Sequence, residues 1–339
     1  MGLRLLIVYA KPLRVLHPPH QHSIHLHPIP RGGGIVFIGV ALVGLFWSEP
    51  TLFWHYKWSM VAIVLVWLVG VWDDIVGVSV RVKFFFILFA TLLVMADGLM
   101  LHTLGVLFGT PLYLGLLSLP VTLFIVAGFT NAMNLVDGID GLAGSLALLM
   151  LLLFALLGLW FELWFVWSMS LMLLVTLSAF LLFNLPPASL FMGDSGSLSL
   201  GFILSLLSLE VVAYIPAVEI LYMGAVPIVD TLLVMFHRRA KGASLFGADC
   251  CHIHHLLLAY FNGSASKSVG VLLLLALFFL LVGGLLYLYG VDDLYAFLLF
   301  VGVVWLLYRL SEWGFKQLGL CQVSPRASSQ TNHVESVDE

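Results

Sequence analysis

The sequence predicts an all-α, polytopic integral membrane protein, and its composition and hydrophobic runs are the reasons. Of the 339 residues, 62% are hydrophobic and only 9% are charged, and the mean hydropathy is +1.11. A soluble domain carries about 25% charged residues, so this chain cannot cover a surface that faces water. The spans are predicted to be helices, because open strands would leave backbone groups unpaired in lipid.

Ten apolar segments approach the roughly 20 residues that a membrane-spanning helix needs. They are residues 33–48, 57–72, 84–101, 117–134, 141–160, 164–183, 197–214, 216–236, 268–290 and 293–310. Residues 33–310 are therefore predicted to form a transmembrane catalytic domain of about ten helices. Residues 1–32 are expected to be a cytoplasmic segment with a short hydrophobic stub, and residues 311–339 a disordered cytoplasmic tail.

The basic residues predict the orientation of these spans. Of the 14 Lys and Arg residues, only Lys57 falls on one side of the predicted membrane. The positive-inside rule then places both termini in the cytoplasm and favours an even number of spans. A net charge of -4 gives no reason to expect a nucleic acid as a partner, and the three cysteines do not form a spaced disulfide framework.

Five polar clusters interrupt the apolar background, and all of them fall on the predicted cytoplasmic face. They are residues 27–34, the pair Asp73-Asp74, residues 131–140, residues 191–197 and residues 238–255. Five unrelated loops would rarely all be this polar, so we interpret them as parts of one site. Arg31, in the first cluster, is a candidate for binding substrate.

Asp73 and Asp74 end an apolar helix and are candidates for catalysis, with Asp74 also a candidate metal ligand. Adjacent carboxylates repel each other unless a cation lies between them, and hard oxygen ligands at a membrane edge suit Mg²⁺ bound with a diphosphate. The alternative is two acids that cap a helix end in water. Arg81 and Lys83 follow closely and are predicted to hold a lipid phosphate, or else to be ordinary positive-inside anchors.

The third cluster repeats a polar residue every three positions, at Asn131, Asn134, Asp137 and Asp140. On a helix this spacing places neighbours along one flank, and polar residues at membrane depth usually line a site or a cavity. The two asparagines are interpreted as substrate-binding residues and the two aspartates as catalytic residues. Hydrogen bonding between helices is the alternative for the asparagines.

The fourth cluster, Gly193 to Ser197, immediately precedes a span, where small residues let backbone N–H groups approach an anion. Asp194 is placed to hold a metal ion against that anion, although many Gly/Ser segments are only turns. Asp230, near the inner end of another span, is a functional candidate for which helix pairing is an equally good interpretation.

The fifth cluster combines cations with histidines beside Asp249. Arg238 and Asp249 are predicted to bind substrate, and His252, His254 and His255 are predicted to act in catalysis, because Arg and protonated His stabilise charge on phosphates. A zinc site built on Cys250 and Cys251 with these histidines is the alternative, but adjacent ligands do not resemble the usual paired spacings of zinc sites.

Together, the clusters resemble those of the polyprenyl-phosphate N-acetylhexosamine-1-phosphate transferases. The resemblance runs in collinear order from about residue 25 to residue 255. It implies transfer of a sugar 1-phosphate from a UDP-N-acetylaminosugar to a polyprenyl phosphate such as undecaprenyl phosphate, with release of UMP. It also implies dependence on Mg²⁺ or Mn²⁺, and a cytoplasmic active site in a bacterial inner membrane. Asp194 resembles the metal-binding aspartate of the family's Phe-Met-Gly-Asp motif.

The histidine motif also bears on the substrate. The His-Ile-His-His pattern at 252–255 is similar to that of the aminosugar branch and differs from the three consecutive histidines of the peptidoglycan translocase branch. GlcNAc and its 6-deoxy relatives stay open as the sugar. One departure is that His17, His20 and His22 stand where relatives often carry Asp, Asn and Arg. The usual first span is also missing or cut to a stub.

Three other functions compete with the transferase. A transporter of a phosphorylated solute should place its site near the midplane, often with inverted repeats, and no clear repeat is visible. An inactive relative is supported only by the N-terminal departures. An intramembrane zinc hydrolase would need a pattern such as His-Glu-x-x-His, which the sequence lacks. A homodimer is compatible with the apolar surface.

Overall fold

The computed structural model describes residues 2–9, 16–17, 28–240, 242 and 251–321, and within them the fold is a bundle of α-helices. The helices are α1 (Gly2–Tyr9), α2 (Gly33–Ser48), α3 (Pro50–His55), α4 (Lys57–Val76), α5 (Val80–Ala96), α6 (Ser118–Val136), α7 (Leu142–Trp160), α8 (Trp164–Asn184), α9 (Asp194–Val211), α10 (Ala217–Met223), α11 (Ala225–Ala240), α12 (Ile253–Tyr260), α13 (Ala265–Leu288) and α14 (Asp293–Gln317). The prediction of an all-α polytopic membrane protein is confirmed.

Two short antiparallel ribbons accompany the described helices. Strand β1 (Leu16–His17) pairs with β2 (Ile29–Pro30), with Leu16 opposite Pro30. Strand β3 (Thr103–Leu107) pairs with β4 (Thr110–Tyr113) in a hairpin between α5 and α6. The sequence did not predict this hairpin, and it takes residues that follow α5, which ends at Ala96 instead of near residue 101.

The predicted count of ten spans is not confirmed. Among the described residues, seven helices are long and apolar enough to cross a membrane, or eight if α10 and α11 form one broken span. Helix α2 has 16 residues and α5 has 17. At 1.5 Å per residue a 16-residue helix is about 24 Å long, short of the roughly 30 Å hydrocarbon core. Helix α3 begins at Pro50, directly after the break at Glu49.

The predicted span 216–236 is bent by 83° between α10 and α11. Gly224 lies at the break and Pro227 follows in the first turn of α11, and both residue types are common causes of sharp kinks. Helix α14 runs to Gln317, past the predicted end of its span at residue 310. The tail from residue 322 lies outside the described residues.

Helix α9 is the centre of the bundle, since 83% of its spanning window is buried, against 28% for α13 and 22% for α14. It packs against α2, α4, α6 and α7. Glycines allow this close approach. A Cβ on Gly70 of α4 would lie 2.5 Å from the Cα of Ser195, and a Cβ on Gly201 would lie 2.8 Å from the Cα of Thr130. Helices α13 and α14 are left to face lipid.

The spans alternate in direction, and this alternation sorts the connections to two ends of the bundle. The end of α4, the starts of α5, α7 and α9, and the end of α11 lie at one end, which we call the site end. The hairpin β3–β4, the start of α10 and the connection from α13 to α14 lie at the other end, which we call the distal end. Helix α9, with 18 residues, gives a separation of about 27 Å between them.

Candidate active site

The segment before α9 is held against the segment before α2 by backbone hydrogen bonds. Phe191 N donates to Pro30 O at 2.8 Å, Gly33 N donates to Phe191 O at 3.0 Å, and Gly34 N donates to Met192 O at 2.9 Å. The first and fourth polar clusters are therefore joined, as the sequence analysis predicted. A Cβ on Gly34 would overlap the backbone of Gly196, so only glycine allows this contact.

Asp74 caps helix α9 from a different helix. Its side chain is fully buried, Oδ1 accepts from Asp194 N at 2.9 Å, and Oδ2 accepts from Ser195 N at 3.1 Å. A carboxylate at a helix N-terminus satisfies free N–H groups and is stabilised by the helix dipole. Gly193 makes room, because it has a φ of 75° and a Cβ there would lie 2.6 Å from both carboxylate oxygens of Asp74.

Lys83 connects two of the predicted acidic residues. Its Nζ lies 3.0 Å from Oδ2 of Asp73 and 2.5 Å from Oδ2 of Asp194, and all three side chains are largely buried. Asp73 also accepts a hydrogen bond from Val78 N at 2.6 Å through Oδ1. An ammonium group thus lies between Asp73 and Asp194, whereas the sequence analysis expected a cation between the adjacent carboxylates of Asp73 and Asp74.

Arg31 closes the end of α4. Its Nε and Nη2 donate to the backbone carbonyl of Asp74 at 3.0 Å and 2.8 Å, and Nη2 also contacts the carbonyl of Asp73 at 3.3 Å. A guanidinium at a helix C-terminus satisfies free carbonyls and complements the dipole. Arg31 therefore contacts the backbone carbonyls of Asp73 and Asp74, and its role in substrate binding stays a prediction.

The third cluster lies partly on α6 and partly beyond it, because α6 ends at Val136. Asn134 Nδ2 donates to Ser197 Oγ at 2.9 Å, which joins α6 to the start of α9. Asn131 is half-buried on α6. The regular spacing does not extend to Asp140, whose Oδ2 accepts from Ala188 N at 2.9 Å and so holds the segment between α8 and α9.

Asp137, just beyond α6, is half-buried among other acids. Burial raises the pKa of its carboxyl well above the ordinary value, and like charges act in the same direction. Those charges belong to Asp194, Asp74 and Asp140. The carboxyl of Asp137 is therefore protonated more readily than that of an ordinary aspartate.

The histidine motif is anchored by Asp230 of α11. His252 Nδ1 lies 2.8 Å from Asp230 Oδ2, and His254 Nδ1 lies 3.2 Å from the same oxygen. Oδ1 of Asp230 accepts from Ile253 N at 2.6 Å. Asp230 is 2% exposed, so the two interpretations of the sequence analysis meet here: it pairs two elements and also holds two candidate catalytic side chains.

His254 links this motif to the acidic residues. A Cβ on Gly138 would lie 2.5 Å from His254 Nε2, so the ring packs directly against the turn that follows Asp137. The turn is contacted by the histidine motif, while Asp137 itself interacts electrostatically with Asp194 and Asp74. The second, third, fourth and fifth clusters therefore form one continuous site.

Other predicted residues are placed less centrally. Arg81 is exposed, Arg238 is buried at the end of α11, and His255 is half-buried beside the ring of His254. Asp249 lies outside the described residues, as do Cys250, His20 and His22, and only the backbone of His17 is described. Cys251 pairs with Cys321 in a disulfide with Cα atoms 5.5 Å apart, a pairing that the sequence analysis did not predict.

Asn184 was not singled out in the sequence. Its Oδ1 accepts from Gly141 N at 3.1 Å and its Nδ2 donates to Leu190 O at 2.9 Å, so it fastens the start of α7 to the segment before α9. A lone asparagine at the end of an apolar span was the available signal, because an amide at that depth needs partners.

The residues present suit a hard divalent cation. Asp73 and Asp194 offer carboxylate oxygens, which are the ligands that Mg²⁺ and Mn²⁺ prefer, and Lys83 contacts both carboxylates in this structure. Asp74 uses both oxygens as acceptors for the N–H groups of α9. A second group, Asp230 with His252 and His254, has ligand atoms within 4.8 Å of one another, but these atoms are already hydrogen-bonded to each other.

Comparison with known proteins identifies the family. The profile described as glycosyl transferase family 4 matches residues 57–212. A probable undecaprenyl-phosphate N-acetylglucosaminyl 1-phosphate transferase of Bacillus subtilis is 32% identical over 271 residues, which cover 77% of this chain and 74% of the relative.

Two enterobacterial proteins agree, and both are called undecaprenyl-phosphate alpha-N-acetylglucosaminyl 1-phosphate transferase. The Yersinia pestis protein is 34% identical over 76% of this chain and 73% of its own length. The Escherichia coli K12 protein is 31% identical over 79% of this chain and 75% of its own length. The resemblance inferred from the five clusters is confirmed. This polytopic membrane protein is a transferase that belongs to glycosyl transferase family 4.

Proposed function

We propose that the chain transfers N-acetylaminosugar 1-phosphate from a UDP-sugar to undecaprenyl phosphate. A phosphate oxygen of the lipid attacks the sugar-linked phosphorus of the UDP-sugar. A new P–O–P bond forms, the bond from that phosphorus to the bridging oxygen breaks, and UMP leaves with the oxygen. The single observation that carries the proposal is the Asp73–Lys83–Asp194 group, which lies where α4 ends and α5 and α9 begin, at the site end.

The main barrier in this reaction is repulsion between two anions, because the lipid phosphate is already charged at pH 7. Positioning and electrostatic stabilisation therefore do most of the catalysis. A bound Mg²⁺ or Mn²⁺ would neutralise charge on the diphosphate and on the departing UMP. We assign Asp194 to hold that metal, and Asp74 to fix the backbone that presents Asp194.

Lys83 is suited to receive the lipid phosphate. Its ammonium group lies between Asp73 and Asp194, and α5 begins at the same membrane edge. On substrate binding the phosphate would replace one carboxylate as a partner of Lys83. The lipid tail would then lie in the bilayer beside the bundle while the nucleotide enters from the aqueous side.

The histidine motif is proposed to contact the diphosphate. Asp230 accepts from the Nδ1 side of His252 and His254, which leaves their Nε2 atoms for other partners. In their protonated form, two imidazoles fixed in this way can donate from Nε2 to phosphate oxygens, and their fixed orientation lowers the entropic cost of doing so. Asn131 and Asn134 are proposed to lie on the nucleotide side.

The site end is proposed to face the cytoplasm of a bacterium, with the chain in the inner membrane. Support comes from the basic residues, because the described ones other than Arg4 and Lys57 belong to helix ends or connections at the site end. They are Arg31, Arg81, Lys83, Arg238, Arg239, Lys267, Arg309 and Lys316. A homodimer through the lipid-facing surface stays a prediction.

The sugar is proposed to be GlcNAc, because the relatives named above carry that sugar in their names. The test is UMP release by the full chain in detergent, with undecaprenyl phosphate and a panel of UDP-aminosugars. Release that requires Mg²⁺ and stops with EDTA would support the transferase, and the preferred sugar would name the donor. No metal-dependent release with any sugar, from a sample that is folded and monodisperse, would contradict the proposal.

A further inference from the structure

A disulfide joins the start of the histidine motif to the segment that follows α14. Cys251 directly precedes His252, and Cys321 comes after α14, which ends at Gln317. The two Cα atoms are 5.5 Å apart, within the range of about 4.4–6.8 Å that a disulfide requires. The cysteines are 70 positions apart in the chain, so tertiary packing alone brings them together.

The segments that carry the two cysteines are also held together by contacts other than the bond. A Cβ on Gly314 of α14 would lie 3.1 Å from Cδ2 of Leu256 on α12, so these two helices pack closely. Leu320 N donates to Phe315 O at 2.9 Å, which holds the segment leading to Cys321 against the end of α14. Two thiols in these positions stay close enough to pair again after the bond is reduced.

The two sulfurs differ in how easily a solute reaches them. Cys251 is 2% exposed, whereas Cys321 is half-buried. Access controls the rate of thiol–disulfide exchange, so Cys321 is the residue that meets an external oxidant first. A more accessible cysteine beside a second cysteine that completes the bond is the usual arrangement of redox-sensing pairs.

The compartment distinguishes a reversible bond from a permanent one. Both cysteines lie at the site end, which under the proposed function faces the cytoplasm, where glutathione keeps thiols reduced. Disulfides that form in that compartment are usually transient and redox-sensing. We propose that Cys251 and Cys321 form a reversible thiol–disulfide switch on the histidine motif, which rests on the proposed function for its compartment and for the role of that motif.

The oxidant is a low-molecular-weight disulfide such as oxidised glutathione. The sulfur of Cys321 attacks it, so that a mixed disulfide forms and one reduced glutathione leaves. The sulfur of Cys251 then attacks the sulfur of Cys321, which forms the bond between the two cysteines and releases a second reduced glutathione. Two protein thiols are oxidised, one glutathione disulfide is reduced to two thiols, and the two protons pass to those thiols.

The bond acts on the proposed reaction through His252. Asp230 holds the ring of His252 from α11, while the disulfide ties the preceding residue to the segment after α14. A side chain held from both directions has less freedom to lose when it meets the diphosphate. We expect kcat/KM for the UDP-sugar to be at least about threefold higher in the oxidised form, with kcat/KM for the lipid phosphate changing less.

The test begins with the full chain in detergent, equilibrated at defined ratios of reduced to oxidised glutathione and then alkylated. Trypsin cuts after Lys267 and Lys316, so Cys251 and Cys321 leave on separate peptides unless the bond links them. We expect linked peptides at oxidising ratios and separate alkylated peptides at the reducing ratio of a cytoplasm. No linked peptides at any ratio would overturn the proposal, and so would a bond that persists at the cytoplasmic ratio.

Cys250 offers a matched control, because it lies on the same tryptic peptide as Cys251. Cys250→Ser should keep both the linked peptides and the effect of oxidation on kcat/KM. Cys251→Ser and Cys321→Ser should each lose both, and Cys321→Ser changes a half-buried residue beyond the last described helix, where the fold tolerates it. Linked peptides that survive in Cys251→Ser would assign the bond to Cys250 and overturn the proposal.

The activity measurement separates this switch from the proposed function. Equal kcat/KM values in the oxidised and reduced forms of an active chain would overturn the switch and leave the transferase intact. A chain that pairs its cysteines reversibly but releases no UMP in either form would contradict the proposed function, because the pairing itself does not depend on turnover.

Discussion

The two ends of the bundle handle buried acids differently. At the site end, Asp73 pairs with Lys83, Asp74 accepts from two N–H groups of α9, and Asp230 pairs with two histidines. At the distal end, Glu210 and Glu219 each keep one oxygen without a partner among the described residues. The site end is thus largely organised by the chain itself, whereas the distal end keeps buried carboxylate oxygens without a partner among the described residues.

The contrast between the two ends also indicates what the paired acids of the site end contribute. Each compensated acid at the site end joins different helices, since Lys83 and Asp194 are 111 residues apart and Asp74 and Asp194 are 120 residues apart. A site fixed in this way loses little freedom when substrate binds. Asp137 is the exception, because burial and like charges raise the pKa of its carboxyl.

The largest expected effect is that of Asp194→Asn. We expect kcat to fall about 10³-fold or more, because one strong electrostatic contact in a dry site contributes about 4 kcal/mol to transition-state stabilisation. The measurement is UMP release at saturating Mg²⁺. Glu312→Gln is the control, since Glu312 forms only surface ion pairs with Arg309 and Lys316. Near-normal activity of Asp194→Asn would remove the metal assignment.

Asp230→Asn should lower kcat/KM for the UDP-sugar by about 10²-fold, a typical size for a positioned acid–base group. The change weakens the hold on His252 and His254 while keeping the side-chain shape. A purely structural role would lower activity toward both substrates alike, so kcat/KM for the lipid phosphate is measured as well and should change less.

The neighbouring residue offers a matched control for Asp230. Thr231→Val removes a buried hydroxyl that has no partner among the described residues, on the same turn of α11. It should leave both kcat/KM values nearly unchanged. Equal losses in the two variants would mean that α11 tolerates no change there and that Asp230 has no special role.

Gly34→Ala tests whether the joined loops matter at the site end. The added Cβ would overlap Gly196 and push the start of α2 away from α9. A displacement of about 1 Å can cost about 10²-fold in rate, so we expect a loss of that order together with a lower unfolding temperature. Gly128→Ala is the control, because nothing lies within 4 Å of a Cβ there. Similar behaviour of the two variants would contradict the close contact.

The smallest expected effect on catalysis is that of Glu219→Gln. Its kcat should stay within about twofold of the parent value, because distant residues that share no partner act independently. A large loss of activity, measured by UMP release, would show that the two ends are coupled and would contradict this contrast between them.

Much of the site was predictable because its residues are chemically conspicuous in an apolar chain. Asp73, Asp74, Asp137, Asp194 and the histidines stand out against 62% hydrophobic residues. Their roles were less accessible. The three-residue spacing suggested one flank for Asn131 to Asp140, but α6 ends at Val136 and Asp140 turns to Ala188. Asn184 escaped notice because a single amide gives a weak signal.

The count of spans shows a second limit. Hydropathy located the spanning segments and gave the bounds of the short helix α2, yet it could not show that α5 ends at Ala96, or that Gly224 and Pro227 bend the eighth segment by 83°. Window averages measure how apolar a segment is, and they carry little information on where a helix breaks. The hairpin β3–β4 was missed for the same reason, since its strands are short and half apolar.

The sequence by itself determined that this protein lies in a lipid membrane and is helical. It also determined its family and the residues able to carry phosphate chemistry. Those properties depend on composition and on local spacing along the chain. Only the tertiary structure decided which acid meets which partner, because contacts such as Asp74 with the start of α9 depend on how distant helices pack. The same packing left Oε2 of Glu219 buried without a partner among the described residues, and no local pattern in the sequence distinguishes this residue from an ordinary first-turn glutamate.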